Sequence, residues 1–461
     1  MKIMNVIHAK LGDLWWFTLL LFAAQRFGDA INMFVGLWLV PRYVPQAEIG
    51  AVLPLAQVVS VLGLPLGILA IPFMKFLDIY NSRGEAGKVK SLLRDVFIGT
   101  GILSLVVLLL AGLVLPFFFE RMRVATGMLG VLVVLGSVLT AVATIFGNAV
   151  QGLKMYSTTV WFNLLGAPMR LVTMAVAMPF RALSGYFAGQ CAAPAVSVGG
   201  SLWALRKRFG STVKAKPYWR EDRKAILYYT IPIAIWTIVG TLTSALEALV
   251  IRHRLTDFES AGYYMITRFT DIASYLGGTF IIFLFPMVAG LSAMNSRSRR
   301  VLVHSLYGTI VGGLLVGVLL HIGGRSLLGL NALWNPFQPL AGMMFPICVL
   351  NVLMLSGSCF ATYEMAQGRF GFFRYAVPLI LFKSLFLYAV TGIGFFEGVL
   401  PGEWVDFVRT LNPCRLSFVI YFLICAHAAI FVCFVVHEVI RVRSRSVIGL
   451  PSNEAKEENH A

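Results

Sequence analysis

Long apolar runs separated by short polar breaks dominate the chain from Leu14 to Val442. Each run reaches roughly 20 residues or more, the length that a helix needs to cross the hydrocarbon core of a bilayer. The pattern predicts twelve spans, at about 14–40, 49–74, 95–118, 124–150, 157–180, 183–205, 225–251, 260–289, 301–323, 338–365, 372–396 and 416–440. The runs are continuous and do not alternate over about ten residues, so a closed barrel is excluded and helices remain the way to satisfy the backbone in lipid. The expected fold class is an all-α polytopic membrane protein. The first run is too long for the apolar region of a cleaved signal and no small-residue cleavage pattern follows it, so it is expected to stay in the chain.

Composition agrees: 58% of the 461 residues are hydrophobic, 13% are charged, and the mean hydropathy is +0.80. A net charge of +17 would fit a nucleic-acid partner, but its distribution argues for a membrane. Basic residues concentrate in alternate loops, as at Lys75 to Arg94, Arg206 to Lys224, Arg297 to Arg300 and Arg441 to Arg445, and are sparse in the others. The positive-inside rule then places both termini in the cytoplasm and demands an even number of spans. The six cysteines mostly lie inside spans and read as small packing residues. No phosphate-binding Gly-rich loop, HExxH, GxSxG or Cys/His cluster is present, so the sequence points to no enzyme, cofactor or metal, and work must draw on an ion gradient, the membrane potential or the substrate's own gradient.

The longest central polar break, 206–224, divides the spans six and six and reads as a basic cytoplasmic linker between an N-terminal lobe (1–205) and a C-terminal lobe (225–442), with a cytoplasmic tail at 443–461. Self-comparison supports the division. SVLGLPLGILAIP (60–72) matches SYLGGTFIIFLFP (274–286) at an offset of 214, and NAVQGLK (148–154) parallels EMAQGRF (364–370) at 216. An even number of spans per lobe gives the lobes one orientation, related by a pseudo-two-fold axis along the membrane normal, with a cavity expected between them.

Charges inside spans are costly, about 2.5 to 3.5 kcal/mol each on insertion scales, and tend to face a cavity or a partner. Arg26 and Asp29 lie midway along the first span; Arg268 and Asp271 repeat the Arg-Phe-x-Asp pattern in the eighth. Spacing i, i+3 puts both members of each pair on one helical face. Each pair reads either as a self-satisfied ion pair fixing helix packing or as part of a binding site. Arg170 in the fifth span and Lys383 in the eleventh have no acidic neighbour at i±3 or i±4, occupy corresponding spans, and are expected to share the cavity. Glu247, five residues before Arg252 near the end of the seventh span, suits an interfacial salt bridge as well as a cavity role. His304, His321, His427 and His437 are scattered singly and read as packed or interfacial; Glu364 and Gln151 read as interfacial caps.

RFGDAINMFVGLWLVPRYVPQAEIG followed by PLAQVVSVLGLPLGI, the Gln-Gly motif closing the fourth span, and the twelve-span, two-lobe plan resemble the Wzx-type polysaccharide flippases of the multidrug/oligosaccharidyl-lipid/polysaccharide exporter superfamily. The likeness covers nearly the whole chain. It implies translocation of a polyprenyl-pyrophosphate-linked glycan from the cytoplasmic to the outer leaflet of a bacterial inner membrane, by alternating access through a cationic cavity. Arg26, Arg170, Arg268 and Lys383 are the positions that would bind substrate, with Asp29, Asp271 and Glu247 restraining those charges or accepting a coupling proton or sodium ion. Two rivals stay open. A multidrug antiporter of the same superfamily would have this architecture but calls for an acidic cavity. A membrane-embedded glycan polymerase or ligase would be expected to carry a large external loop, whereas the longest one here, 397–415, is short and reads as an interfacial segment anchored by Trp404.

Overall fold

The computed structural model of the chain describes residues 20, 22–124, 127–208, 219–289, 296–392 and 414–447. These residues form a helical bundle with twelve long helices and no strand among them. Helix α1 covers 22–34 and continues through a π-helical turn, Val35–Leu39, and a short turn, Val40–Tyr43. A further turn, Gln46–Ile49, leads into α2 (Val52–Ser82), followed by α3 (Ala86–Met122) and α4 (Gly127–Gly152). The stretch Tyr156–Arg208 holds two helices, α5 and α6, which meet at Ala182, the one non-helical residue within it. The second half comprises α7 (Trp219–Arg254), α8 (Asp257–Ala289), α9 (Ser296–Gly329), α10 (Met344–Ala366, entered through the 3-10 turn Asn335–Met343), α11 (Phe373–Thr391) and α12 (Leu416–Val447).

The helices coincide with the expected spans, but many outrun them. α2 was expected to end near 74 and runs to Ser82; α12 continues beyond 440 to Val447. Hydropathy reports where lipid touches the chain, whereas a helix continues for as long as its i→i−4 bonds do. The expected interfacial segment around Trp404 and most of the 206–224 linker lie outside the described residues.

Small residues set how closely the helices approach. At the α5/α6 turn a Cβ on Gly185 would fall 2.5 Å from the Ala177 backbone, and one on Gly152 would fall 2.7 Å from the Met74 carbonyl oxygen of α2. Only glycine fits there. The internal repeat is visible as packing: Gly63 of α2 faces Ala141 of α4, and Gly277 of α8 faces Leu355 of α10. Both members of the second contact lie 214 residues beyond those of the first, so equivalent helices meet in both halves at the offset of the sequence match.

The two halves meet along two seams, α1 against α8 and α2 against α7. They touch at both ends. At the basic end, Tyr80 of α2 donates a hydrogen bond to Asp222 (2.7 Å), Lys88 lies 3.6 Å from the same carboxylate, and the Lys75 ammonium sits 3.5 Å from the Tyr229 ring centre. At the opposite end, Trp334 donates its indole N–H to the Leu37 carbonyl (2.7 Å), Ser260 donates to the Gly50 carbonyl (3.3 Å), and buried Arg252 reaches both the Met122 carbonyl (3.2 Å) and Asp257 (2.9 Å). The Leu37 contact follows from the sequence. Pro41 has no N–H to return to the carbonyl four residues back, so that oxygen accepts from the other half of the molecule.

Candidate functional site

The two Arg-Phe-x-Asp motifs face each other across the α1/α8 seam. In α1, Arg26 pairs with Asp29 at 3.1 Å; in α8, Arg268 pairs with Asp271 at 3.0 Å. The Arg26 guanidinium also donates to the Tyr275 carbonyl of α8, a bond between the two halves. It lies 5.3 Å from the Phe22 ring centre and 5.8 Å from that of Tyr275, while Arg268 lies 5.1 Å from that of Tyr264. Gly36 makes room for this: a Cβ there would meet the Arg268 side chain at 2.6 Å. The side chains of both pairs remain about a fifth exposed (19–23%), so they border open space.

Arg170 joins this cluster from α5. It lies within electrostatic reach of Asp29 and of the Tyr186 and Tyr275 hydroxyls, and Asp29 lies within such reach of Asp271. Yet Arg170 makes no ion pair or side-chain hydrogen bond among the described residues, and its Nε is buried without a partner. Among the described residues, three guanidinium groups and two carboxylates therefore meet here, with both carboxylates committed to Arg26 and Arg268.

Lys383 is not the unpaired cation expected, and that expectation is corrected. It is buried inside the second half, 2.6 Å from Glu247 of α7 and 2.9 Å from His427 Nε2 of α12, while Ser384 donates to the same Glu247 carboxylate at 2.8 Å. Glu247 accordingly does not pair with Arg252, which takes Asp257 instead. His427, read as a packed histidine, belongs to this cluster. Glu364 is likewise more than an interfacial cap: it is buried against Arg441 at 2.5 Å, and Arg441 also holds Glu438.

Three tyrosines and a glutamine of the central site went unread in the sequence: Tyr186, Tyr264, Tyr275 and Gln190, which donates to the Tyr186 hydroxyl at 2.9 Å. The signal was present, since Tyr264, Arg268, Asp271 and Tyr275 recur at spacings of four, three and four, one face of a helix. Among the described residues no group of three or more His, Cys, Asp and Glu side chains is placed to hold a metal ion.

No protein-family model matches the chain, and no curated protein does either. Solved structures do. An inward-facing multidrug resistance MATE family transporter of the MOP superfamily aligns over 92% of this chain and 96% of its own, at 14% identity and a TM-score of 0.65. A MOP superfamily transporter from Pyrococcus furiosus, described as having a binding pocket of reverse polarity that suggests a different function, aligns over 95% and 98%, at 13% identity and a TM-score of 0.59. The MATE multidrug transporter DinF-BH, in complex with a rhodamine dye, aligns over 94% and 96%, at 14% identity and a TM-score of 0.59. At such identities the likeness establishes architecture alone: the chain has the two-lobed, all-helical membrane fold of the MATE transporters.

Proposed function

We propose that this chain is a transporter working by alternating access of its two lobes, and that the cluster at the α1/α8 seam binds an anionic head group, in the fullest form of the reading the pyrophosphate of a polyprenyl-linked glycan carried between leaflets. The observation behind it is Arg170, a half-buried guanidinium with both nearby carboxylates already paired. A planar fork of donors in a low-dielectric site favours a phosphate group that accepts two charge-assisted hydrogen bonds at once. The reading carries the expected topology with it: basic end in the cytoplasm, both termini there, and a bacterial inner membrane around it. Lys383 leaves the binding set, and Arg26, Arg170 and Arg268 remain in it.

The second reading is a multidrug antiporter for cations, and the comparisons favour it over glycan flipping: two of the three structural relatives above are described as multidrug transporters, one of them in complex with the dye. The four candidate cations and the acids Asp29, Asp271 and Glu247 reduce, once Lys383 and Glu247 pair with each other, to three arginines against two aspartates, an excess of a single positive charge that argues only weakly against cationic substrates. In this reading Asp29 or Asp271 would take the coupling ion.

Binding to the purified full-length protein in nanodiscs separates the readings, with a polyprenyl pyrophosphate and a rhodamine cation as probes. The anion reading expects the pyrophosphate to bind, Arg170→Ala to weaken it by about tenfold or more, and the rhodamine to bind weakly throughout. Tight rhodamine binding that Asp29→Asn abolishes and Arg170→Ala strengthens would replace it with the antiporter.

A further inference from the structure

A second polar region lies in the first half, toward the basic end from Arg170. α4, α5 and the end of α6 line a half-open cleft of about 310 Å³, at the small end of the range in which ligand sites fall. Its polar lining includes Asn148, Gln151, Thr159, Asn163, Ser197 and Ser201, and no lining residue is charged. Lipid offers such groups neither donors nor acceptors, so a wall of amides and hydroxyls facing it would be penalised at every residue.

The site is built and unsatisfied. The hydroxyls of Thr159 (8% exposed) and Ser201 (0%) are buried without a hydrogen-bond partner. The amides of half-buried Asn148 and Gln151 and of exposed Asn163 make no side-chain hydrogen bond within the described chain and stand open to a ligand. Thr144, by contrast, has its hydroxyl on the Thr140 carbonyl at 2.8 Å. Phe162 provides an apolar wall, its ring seated against Gly200, where a Cβ would fall 2.0 Å from it. Uncharged amides and hydroxyls that both donate and accept, beside one apolar ring, match a ligand with the same mixture: a ring carrying several hydroxyls over an apolar face.

We infer that this cavity is a subsite for an uncharged sugar ring. Asn163 and Arg170 are seven residues apart on one face of α5, about 10 Å along the helix, so a head group with its phosphate on Arg170 has its sugars within reach of Asn163. The subsite deepens the glycan reading proposed above and rests on it only for what carries the sugar.

The test uses the full-length protein in nanodiscs and an alkyl glucoside bearing a diazirine in its chain, with cross-linked peptides mapped by mass spectrometry. Labelling is expected in the peptides around Asn148 and Asn163, suppressed by excess octyl glucoside and not by octanol. Asn163→Leu and Asn148→Leu should each reduce it by about tenfold, and Ser197→Ala by less. Thermal melting identifies any variant that fails to fold, and Ser197→Ala keeps a mild change available if the leucines do. Polyprenyl pyrophosphate binding should stay at the wild-type level in Asn163→Leu. Labelling that octanol suppresses as well as octyl glucoside does, or that survives unchanged in the folded variants, would overturn the subsite. Glucoside labelling that follows the variants in a protein that does not bind polyprenyl pyrophosphate would support the subsite and overturn the anion reading alone.

Discussion

Replacing Trp334 by Phe isolates one hydrogen bond between the lobes. Trp334 is 8% exposed, donates to the Leu37 carbonyl at 2.7 Å, and lies edge-on to Trp38 and Phe269, each ring centre 5.3 Å away. Phenylalanine keeps a ring for those contacts but has no N–H, leaving the buried Leu37 oxygen without the donor that Pro41 already denies it. An unsatisfied buried group costs about 1–3 kcal/mol, so contact at this end should become less favourable by about 5- to 150-fold relative to separation. Spin labels at Ala47→Cys and Ala332→Cys, in a background without the native cysteines, would read this as growth of a longer distance in the electron–electron distribution. Pro41→Ala offers a second test, because it returns an N–H to Leu37 from within α1. Combined with Trp334→Phe, it should cost less than the sum of the two single changes, by about 0.5 kcal/mol or more. An unchanged distance distribution in Trp334→Phe would refute the argument that this bond holds the lobes together.

Other contacts make comparable predictions. Lys383→Ala strands a buried Glu247 and should lower stability by about 3–5 kcal/mol, while Lys383→Met combined with Glu247→Leu should recover most of it, as thermal melting in detergent would show. Gly185→Ala forces a Cβ against the Ala177 backbone and should cost about 1–3 kcal/mol, whereas Gly67→Ala, with nothing within 4 Å of the new Cβ, should melt like wild type. Arg441→Ala leaves Glu364 and Glu438 buried together and should destabilise by about 3–5 kcal/mol; Arg441→Lys, which keeps the charge without the fork, should fall between.

The spans were legible because lipid imposes a length and an apolar composition that no loop imitates, and the repeat because equivalent glycines serve equivalent contacts at Gly63 and Gly277. The i, i+3 pairs were legible because one helix brings both members together. Lys383 was misread for the opposite reason: its partners Glu247 and His427 lie on α7 and α12, and nothing local announces a contact between separate helices. Helical geometry did carry one unused warning. Glu247 and Arg252, five residues apart, point about 140° from each other around α7, poor terms for a salt bridge. The π-helical turn at Val35–Leu39 was not foreseen either, although Pro41 marks where the regular bonding of α1 must change.

The repeat gives the molecule two seams, and they differ where the Arg-Phe-x-Asp motifs fall. At the offset of 214, Arg26 and Asp29 correspond to Gly240 and Thr243, and Arg268 and Asp271 to Pro54 and Gln57. The α2/α7 seam therefore carries neutral residues at every position where the α1/α8 seam carries an ion. The molecule thus has a front and a back, although its halves are built alike. A charged group resting on Arg26, Arg170 and Arg268 would sit at the α1/α8 seam. If the proposed head group trails a hydrocarbon tail, the tail's shortest way to the surrounding lipid lies between α1 and α8, so parting those two helices sideways would serve loading, while the α2/α7 seam, tied at its basic end through Asp222 and Lys75, would stay shut.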